Sequence, residues 1–503
     1  MTYKPRMKPM RHQTAAIAAS RAKPPAPVPE DVFAYLMDMG TGKSKVVLDE
    51  WGESAGSGGP IDHLIVAPAG SYRNWFADKG ADPEFWSEIR KHMDPEMLQR
   101  TVVHGWRGGK SAGEKNDLRH FLSLRDPRMP RILVMNVEAL STVERAQDLC
   151  REFLDQRGAQ MTVDESTSIK SHRSSRTKTC WELGDMALVK RILSGLWTPK
   201  GPLDLFAQCY FLDPRILGQT NYFTFQRKYA QLVRRETGGR KFWQVVGYQN
   251  IEDLQQRVAP YSYRVLLEDC VDLKGMTYDA REVELTPEQR RMIKEIRTFG
   301  NAAITTASGD ARFVTTDMVI KQIARISQIA CGYVLDDEER VLHEVPENRT
   351  NALVETLQEH RGKAIVWCPW KPPLHKIAKK LREDFGPRSV AEWHGGNKGT
   401  RHEDERRFLN DPECRFMVAT QGAGMRGNTW TVADLTVYYA NNYDLEQRDQ
   451  SERRNYRNGQ TKPVRCLDLM APGTNDEKIV KNLRQKIDLA TMINREGYRE
   501  WLI

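Results

Sequence analysis

A chain of 503 residues is too long for one compact fold and sets the expectation of two to four domains, each with its own core. Hydrophobic residues at 40% and charged residues at 28% exclude the disordered and fibrous classes, and a net charge of +9 favours a polyanionic partner, because each Lys or Arg set against a phosphate releases condensed counterions. No apolar run approaches the roughly 20 residues that cross a bilayer, and the opening MTYKPRMKPMRHQ lacks a signal peptide's apolar stretch, so a cytoplasmic chain without a membrane partner is expected. The eight cysteines form no CxxC pair and no Cys/His cluster suited to zinc; they are read as reduced thiols. The histidines show no HExxH or other ligand spacing.

Short apolar, β-branched runs recur at Phe33 to Met37, His63 to Ala67, Arg131 to Met135, Gln160 to Val163 and Arg191 to Leu193, with amphipathic stretches between them. Such runs predict parallel strands buried on both faces by helices, with the ligand site at the carboxyl ends of the strands. From Asp213 to Glu347 the chain turns basic and helical in character, as in FTFQRKYAQLVRRETGGRKFW and PEQRRMIKEIRTF, and is read as a helical insertion and linker. A second strand series follows at Lys363 to Cys368, Ser389 to Trp393, Phe416 to Ala419, Leu435 to Tyr439 and Val464 to Leu469. The predicted division is 1–212, 213–347 and 348–503, two α/β parallel-sheet lobes around an insertion. Lys23 to Glu30 is read as a Pro-rich loop and Gly52 to Pro60 as a Gly/Ser-rich loop.

After AYLM comes Asp38-Met39-Gly40-Thr41-Gly42-Lys43-Ser44 and then the helix-like KVVLDEW, the strand, glycine loop and helix order of a P-loop. Gly40, Thr41 and Gly42 would curl backbone N–H groups round phosphates of ATP, Lys43 would reach the β and γ phosphates, and Ser44 would ligate Mg. The first glycine of GxxxxGK[ST] is missing, and Met37 stands there. Such a site needs one carboxylate for the magnesium shell and another to orient the attacking water; Asp164 and Glu165, ending the run MTV, supply both.

With these motifs in order, the chain resembles the Snf-type (Swi/Snf-like) DNA translocases of helicase superfamily two, and its compact form resembles phage-encoded members. In the first lobe Arg11-His12-Gln13 resembles the adenine-reading glutamine motif, LIVAPAGSYRNW resembles motif Ia, VDESTSIKS the DEAH-box strand, and Ser194-Gly195 motif III. In the second, KAIVWCPW resembles motif IV and ATQGAGMRGN motif V. Gln450-Ser451-Glu452-Arg453-Arg454-Asn455-Tyr456-Arg457-Asn458-Gly459-Gln460 matches motif VI at its glutamines, glycine and both arginines. On a helix, Gln450, Arg454 and Arg457 would project from one face toward a γ-phosphate. The resemblance implies two RecA-like lobes, Gln13 and Gln450 at the nucleotide, and nucleic-acid contacts from Arg73, Asn74, Lys170, Thr420 and Asn428.

Three departures stand out: Thr167 replaces the DEAH histidine, Leu196-Trp197 interrupts the T-G-T-P pattern after the strand, and Lys274-Gly275 replaces Leu-Pro. Trp75, Trp181, Trp243, Trp370 and Trp393 are read as core aromatics. Arg234-Arg235 with Arg240-Lys241, around Gly238-Gly239, is either a phosphate grip or a solvated loop. The reading is a monomeric, DNA-stimulated ATPase that walks along duplex DNA; the alternatives are a strand-separating DNA or RNA helicase and a weakly hydrolysing, ATP-gated DNA-binding protein.

Overall fold

A computed structural model describes residues 3–22, 31–77, 87–108, 111–195, 198, 201–237, 240–270, 274–299, 301–305, 311–315, 319–335, 341–397, 399–424, 428–442, 444–481 and 483. Leu196-Trp197, Gly238-Gly239 and the Pro-rich loop 23–30 lie outside these residues. The chain forms two compact units, Met1–Asp272 and Leu273–Met492. The break falls inside the stretch read as insertion and linker, so 213–270 folds with the first lobe and 274–347 with the second.

The first unit contains β1 (Val32–Met37), β2 (Asp62–Ala67), β3 (Val102–Gly105), β4 (Arg131–Asn136), β5 (Ala159–Asp164), β6 (Val189–Ser194), β7 (Ala230–Thr237), β8 (Arg240–Tyr248) and β9 (Ser262–Val265). Seven of these make one sheet in the order β3-β4-β2-β5-β6-β1-β9, with every pairing parallel. Along β1, Val32, Ala34 and Leu36 enter one core and Phe33, Tyr35 and Met37 the other, the period of two expected of a strand covered on both faces. The register puts Asp164 level with Leu193, and Leu193 level with Tyr35. The carboxyl ends of β1 and β5 are thus separated only by β6, which places the loops after them on one sheet edge.

The second unit contains β10 (Met276–Glu282), β11 (Asn301–Thr305), β12 (Ala311–Thr315), β13 (Tyr333–Leu335), β14 (Val341–Glu344), β15 (Lys363–Cys368), β16 (Val390–Trp393), β17 (Phe416–Thr420), β18 (Ala433–Tyr438) and β19 (Val464–Met470). Its main sheet runs β10-β19-β18-β15-β17-β16, again all parallel. Alternate β15 residues divide in the same way, Ala364, Val366 and Cys368 to one core and Ile365 and Trp367 to the other. Two parallel-sheet α/β lobes make the RecA-like class.

The stretch 213–347 is less helical than its composition implies. FTFQRKYAQLVRRETGGRKFW yields one helix, Tyr222–Tyr229, and then the antiparallel hairpin β7–β8. The Gly-Gly between two runs holding Val233, Val245 and Val246 is a hairpin signal that the surrounding charge obscured. Residues 52–56, read as part of a loop, complete the helix Lys43–Gly56, because Trp51 is fully buried and anchors that turn in the core. Of the tryptophans read as core, Trp75 and Trp393 are buried and Trp181 and Trp370 partly buried, whereas Trp243 is 63% exposed.

Candidate nucleotide site

The chain leaves β1 at Met37 and is pinned at once: the Asp38 N–H donates to Val265 O (3.1 Å) and its carboxylate accepts the Leu267 N–H (3.2 Å). Gly40 (φ +86°) and Gly42 (φ +87°) take left-handed conformations that only glycine adopts without strain, and the Thr41 hydroxyl closes the turn onto Asp38 O at 2.6 Å. The helix Lys43–Gly56 then begins with no side chain capping its first turn, leaving backbone donors of the kind that bind phosphate. The Lys43 ammonium lies inside the loop and donates to Met37 O at 2.8 Å.

Gln13 is built into this loop. Its Oε1 accepts the Met10 N–H (2.9 Å) and its Nε2 donates to Thr41 O (3.0 Å), a carbonyl that also receives a hydrogen bond from His12 Nε2 at 2.8 Å. A methyl group at Gly42 would stand 2.4 Å from Gln13 Nε2, so a side chain there would displace the Gln13 amide in addition to straining φ. Both ends of the Gln13 amide are engaged, which makes it a brace for the loop.

Asp164 closes β5, and Glu165 follows in a left-handed conformation (φ +48°), strain of the kind concentrated at functional sites. Asp164 Oδ1 accepts the Glu165 N–H and Oδ2 accepts the indole N–H of Trp75, each at 3.0 Å. Burial raises the Asp164 carboxyl to about 7, the Glu165 charge adds to the rise, and the Lys43 ammonium opposes it. Trp75, on the short helix Arg73–Phe76 after β2, is 1% exposed, so its indole is core apart from that one donor. The Ser44 hydroxyl faces the Glu88 carboxyl: burial would raise that group, but His92, at 3.4 Å, and the Ser44 hydrogen bond bring it down to about 2. Neither Trp75 nor Glu88 was singled out for this site from sequence, since both lie on segments far from the carboxylates and the P-loop in chain order.

Ser194-Gly195 abuts the loop from β6: a methyl group at Gly195 would sit 3.6 Å from the Met39 N, and the buried Ser194 hydroxyl has no partner among the described residues. Ser166 donates to Gln208 Oε1 at 2.6 Å, tying the 3-10 turn Ser166–Ile169, which holds the buried Thr167, to the helix Leu205–Leu212.

In the second unit the expected helical face is not formed. The helix Leu445–Glu452 stops before either arginine, because the Trp430 N–H donates to Arg454 O (2.7 Å) and the Asn455 amide donates to Ala433 O (3.2 Å), drawing the chain against β18. Arg454 and Arg457 converge by another route, donating to the same carbonyl, Asn428 O, at 2.8 and 3.2 Å. Arg454 is 1% exposed and also donates to Gln450 O at 2.8 Å, whereas Arg457 is partly exposed. The Gln450 Oε1 is buried without a partner among the described residues, and Gln460 Nε2 donates to the carbonyls of Thr431, Ala433 and Asn455. Arg448, outside the motif as matched, is buried between Glu452 and Asp468 with its guanidinium 3.5 Å above the Tyr438 ring, and it anchors the helix.

A SNF2-related domain model matches residues 10–335. The chain belongs to that family. It is 24% identical over 367 residues to the SWI/SNF-related matrix-associated actin-dependent regulator of chromatin subfamily A-like protein 1 of Drosophila melanogaster, covering 71% of this chain and 44% of that protein. Over 455 residues it is 22% identical to the CHD3-type chromatin-remodeling factor CHR7 of Arabidopsis thaliana, covering 86% and 33%. It spans less than half the length of these relatives. A solved structure of the Sulfolobus solfataricus SWI2/SNF2 ATPase core in complex with dsDNA is 19% identical, with 99% of this chain and 95% of that one covered at a TM-score of 0.41.

The residues of this SNF2-related chain that the resemblance assigns to nucleic acid fall into distinct settings. Arg73 is exposed, with its Nε donating to Tyr72 Oη at 3.3 Å; Asn74 and Lys170 are partly exposed. Thr420, partly exposed, ends β17. Asn428 is 2% exposed, with its carbonyl committed to the two arginines and its amide 3.5 Å from Gly424 O, a scaffold position within the lobe and not a surface one. His375, Glu392 and His394 bring three potential metal ligands within 4.8 Å, a grouping that spacing did not reveal. The His394 Nδ1 accepts the Gly396 N–H, which leaves the ring proton on the Nε2 that faces Glu392, and Arg382 neutralises that carboxylate; protons and an ion pair already satisfy the group.

Proposed function

We propose that this chain is a DNA-stimulated ATPase that moves along duplex DNA. The observation that carries the reading is that one sheet edge of the first lobe holds the GTGKS loop, with Lys43 inside it, and the Asp164–Glu165 pair one strand away. The donor set suits Mg·ATP: loop N–H groups and Lys43 for the phosphates, Ser44 and Asp164 for the metal, and Glu165 to orient water. Magnesium supplies charge screening on the phosphoryl oxygens when bound. The motif VI resemblance gives Arg457 the role of meeting the transferring phosphoryl group, and the buried Arg454 holds the Asn428 carbonyl and the turn that carries Arg457.

Movement along a duplex, and not strand separation, follows the Snf-type likeness, and phosphate-directed contacts from Arg73 and Lys170 would carry little base preference. The test compares ATP turnover with no nucleic acid, duplex DNA, single-stranded DNA and RNA, alongside triplex displacement and duplex unwinding. Stimulation by duplex with triplex displacement and no unwinding is expected. Unwinding would favour the helicase alternative, and turnover indifferent to every nucleic acid would overturn the motor.

A further inference from the structure

We propose that the hairpin β7–β8 is a separate nucleic-acid surface of this chain, one that stacks an unpaired base on Trp243 and takes the adjoining phosphate on Arg234. Only the choice of nucleic acid as partner rests on the motor reading above. Among the described residues the two strands pair solely with each other and form no part of the seven-stranded sheet. Their base is fixed to the lobe: Gln249 N–H donates to Tyr229 O (3.0 Å), the Asn250 amide to Lys228 O (2.8 Å), and the buried Tyr229 hydroxyl to Asp253 at 2.6 Å. Beyond that base Trp243 is 63% exposed, Val246 50% and Val233 40%. Trp243 is the only tryptophan so exposed among the described residues.

A large ring left in solvent on a fixed strand marks a contact surface, because nothing within the lobe recovers its apolar area. Charge suits that partner: between 230 and 248 the chain carries Arg234, Arg235, Arg240 and Lys241 against the single acid Glu236. The register sets Arg234 directly opposite Trp243, on the same face of the hairpin, and exposed. A ring and a guanidinium side by side match the base and phosphate of one nucleotide. In a duplex the base faces are covered by their neighbours, so an indole can stack only where bases are unpaired, and such stacking tolerates any sequence.

The experiment uses the full chain, its Trp243→Ala, Trp243→Phe and Arg234→Ala variants, and two ligands, a short mixed-sequence single-stranded DNA and the blunt duplex of that sequence. Trp243→Ala is expected to weaken single-strand binding by about five- to a hundredfold, Trp243→Phe to restore most of it, and duplex affinity to change little. Arg234→Ala should lower the slope of log affinity against log salt by roughly one. Unchanged single-strand affinity in Trp243→Ala, or an equal loss for duplex, overturns the proposal. Duplex-stimulated turnover is followed in the same samples. If wild type lacks it while Trp243→Ala still loses single-strand binding, the motor reading fails and the hairpin assignment stands; if stimulation is present and single-strand affinity is unmoved, the hairpin assignment alone fails.

Discussion

Replacing Trp75 by phenylalanine keeps an aromatic ring in the core but removes the indole N–H that lies 3.0 Å from Asp164 Oδ2. A hydrogen bond to a charged acceptor is worth about 1.5–3 kcal/mol, so its loss raises the proton affinity of Asp164 by a factor of roughly ten to a hundred. The wild-type carboxyl, at about 7, is largely ionised at pH 8; the variant's would be roughly half to nine-tenths protonated there. Magnesium would then have to displace a proton, and magnesium-dependent nucleotide affinity should fall by about two- to tenfold at pH 8 and recover as the pH is raised further. Titrating a fluorescent ATP analogue with and without magnesium across pH, beside a thermal melt, measures this. A loss that is the same at every pH, or equal without magnesium, would mean that Trp75 acts only through packing.

Glu165→Gln should bind ATP normally and turn it over far more slowly, as it keeps the shape of the site and loses the group that polarises water; collapsed ATP affinity would instead mark Glu165 as structural. Arg457→Ala should retain nucleotide and DNA binding while losing about 10³–10⁵ in stimulated turnover, whereas Arg454→Ala should destabilise the second lobe by about 1–3 kcal/mol, since it takes a donor from the Gln450 carbonyl and leaves the Asn428 carbonyl to Arg457; single-turnover kinetics and denaturant titration separate the two, and full turnover in Arg457→Ala would remove the arginine from the mechanism. Because the Asp164 carboxyl is raised on folding, the folded lobe binds the extra proton and loses stability as pH rises from about 4 to about 7. Asp164→Asn should therefore melt higher than wild type without nucleotide by a margin that is larger at pH 8 than at pH 5, and an equal margin at both would contradict the burial argument.

Features that depend on neighbours in the chain were legible before any fold was known. Gly40, Gly42 and Lys43 follow a buried strand and open a helix, so local geometry alone makes a phosphate loop of them, and the apolar runs that became β1, β2, β4, β5 and β6 announced a parallel sheet. The Gln450 to Gln460 pattern was equally plain, but not its shape, because the helix is ended by hydrogen bonds from Trp430 and to Ala433, some twenty residues upstream. Tertiary structure alone decided that Trp75 caps Asp164, across 89 positions, since the sheet order sets β2 beside β5 and carries the helix after one strand to the end of the other. It also decided which tryptophan stays outside. Nothing in composition distinguishes Trp243 from Trp75; Trp75 packs beneath a seven-stranded sheet, while Trp243 lies on a two-stranded hairpin too small to bury both its faces.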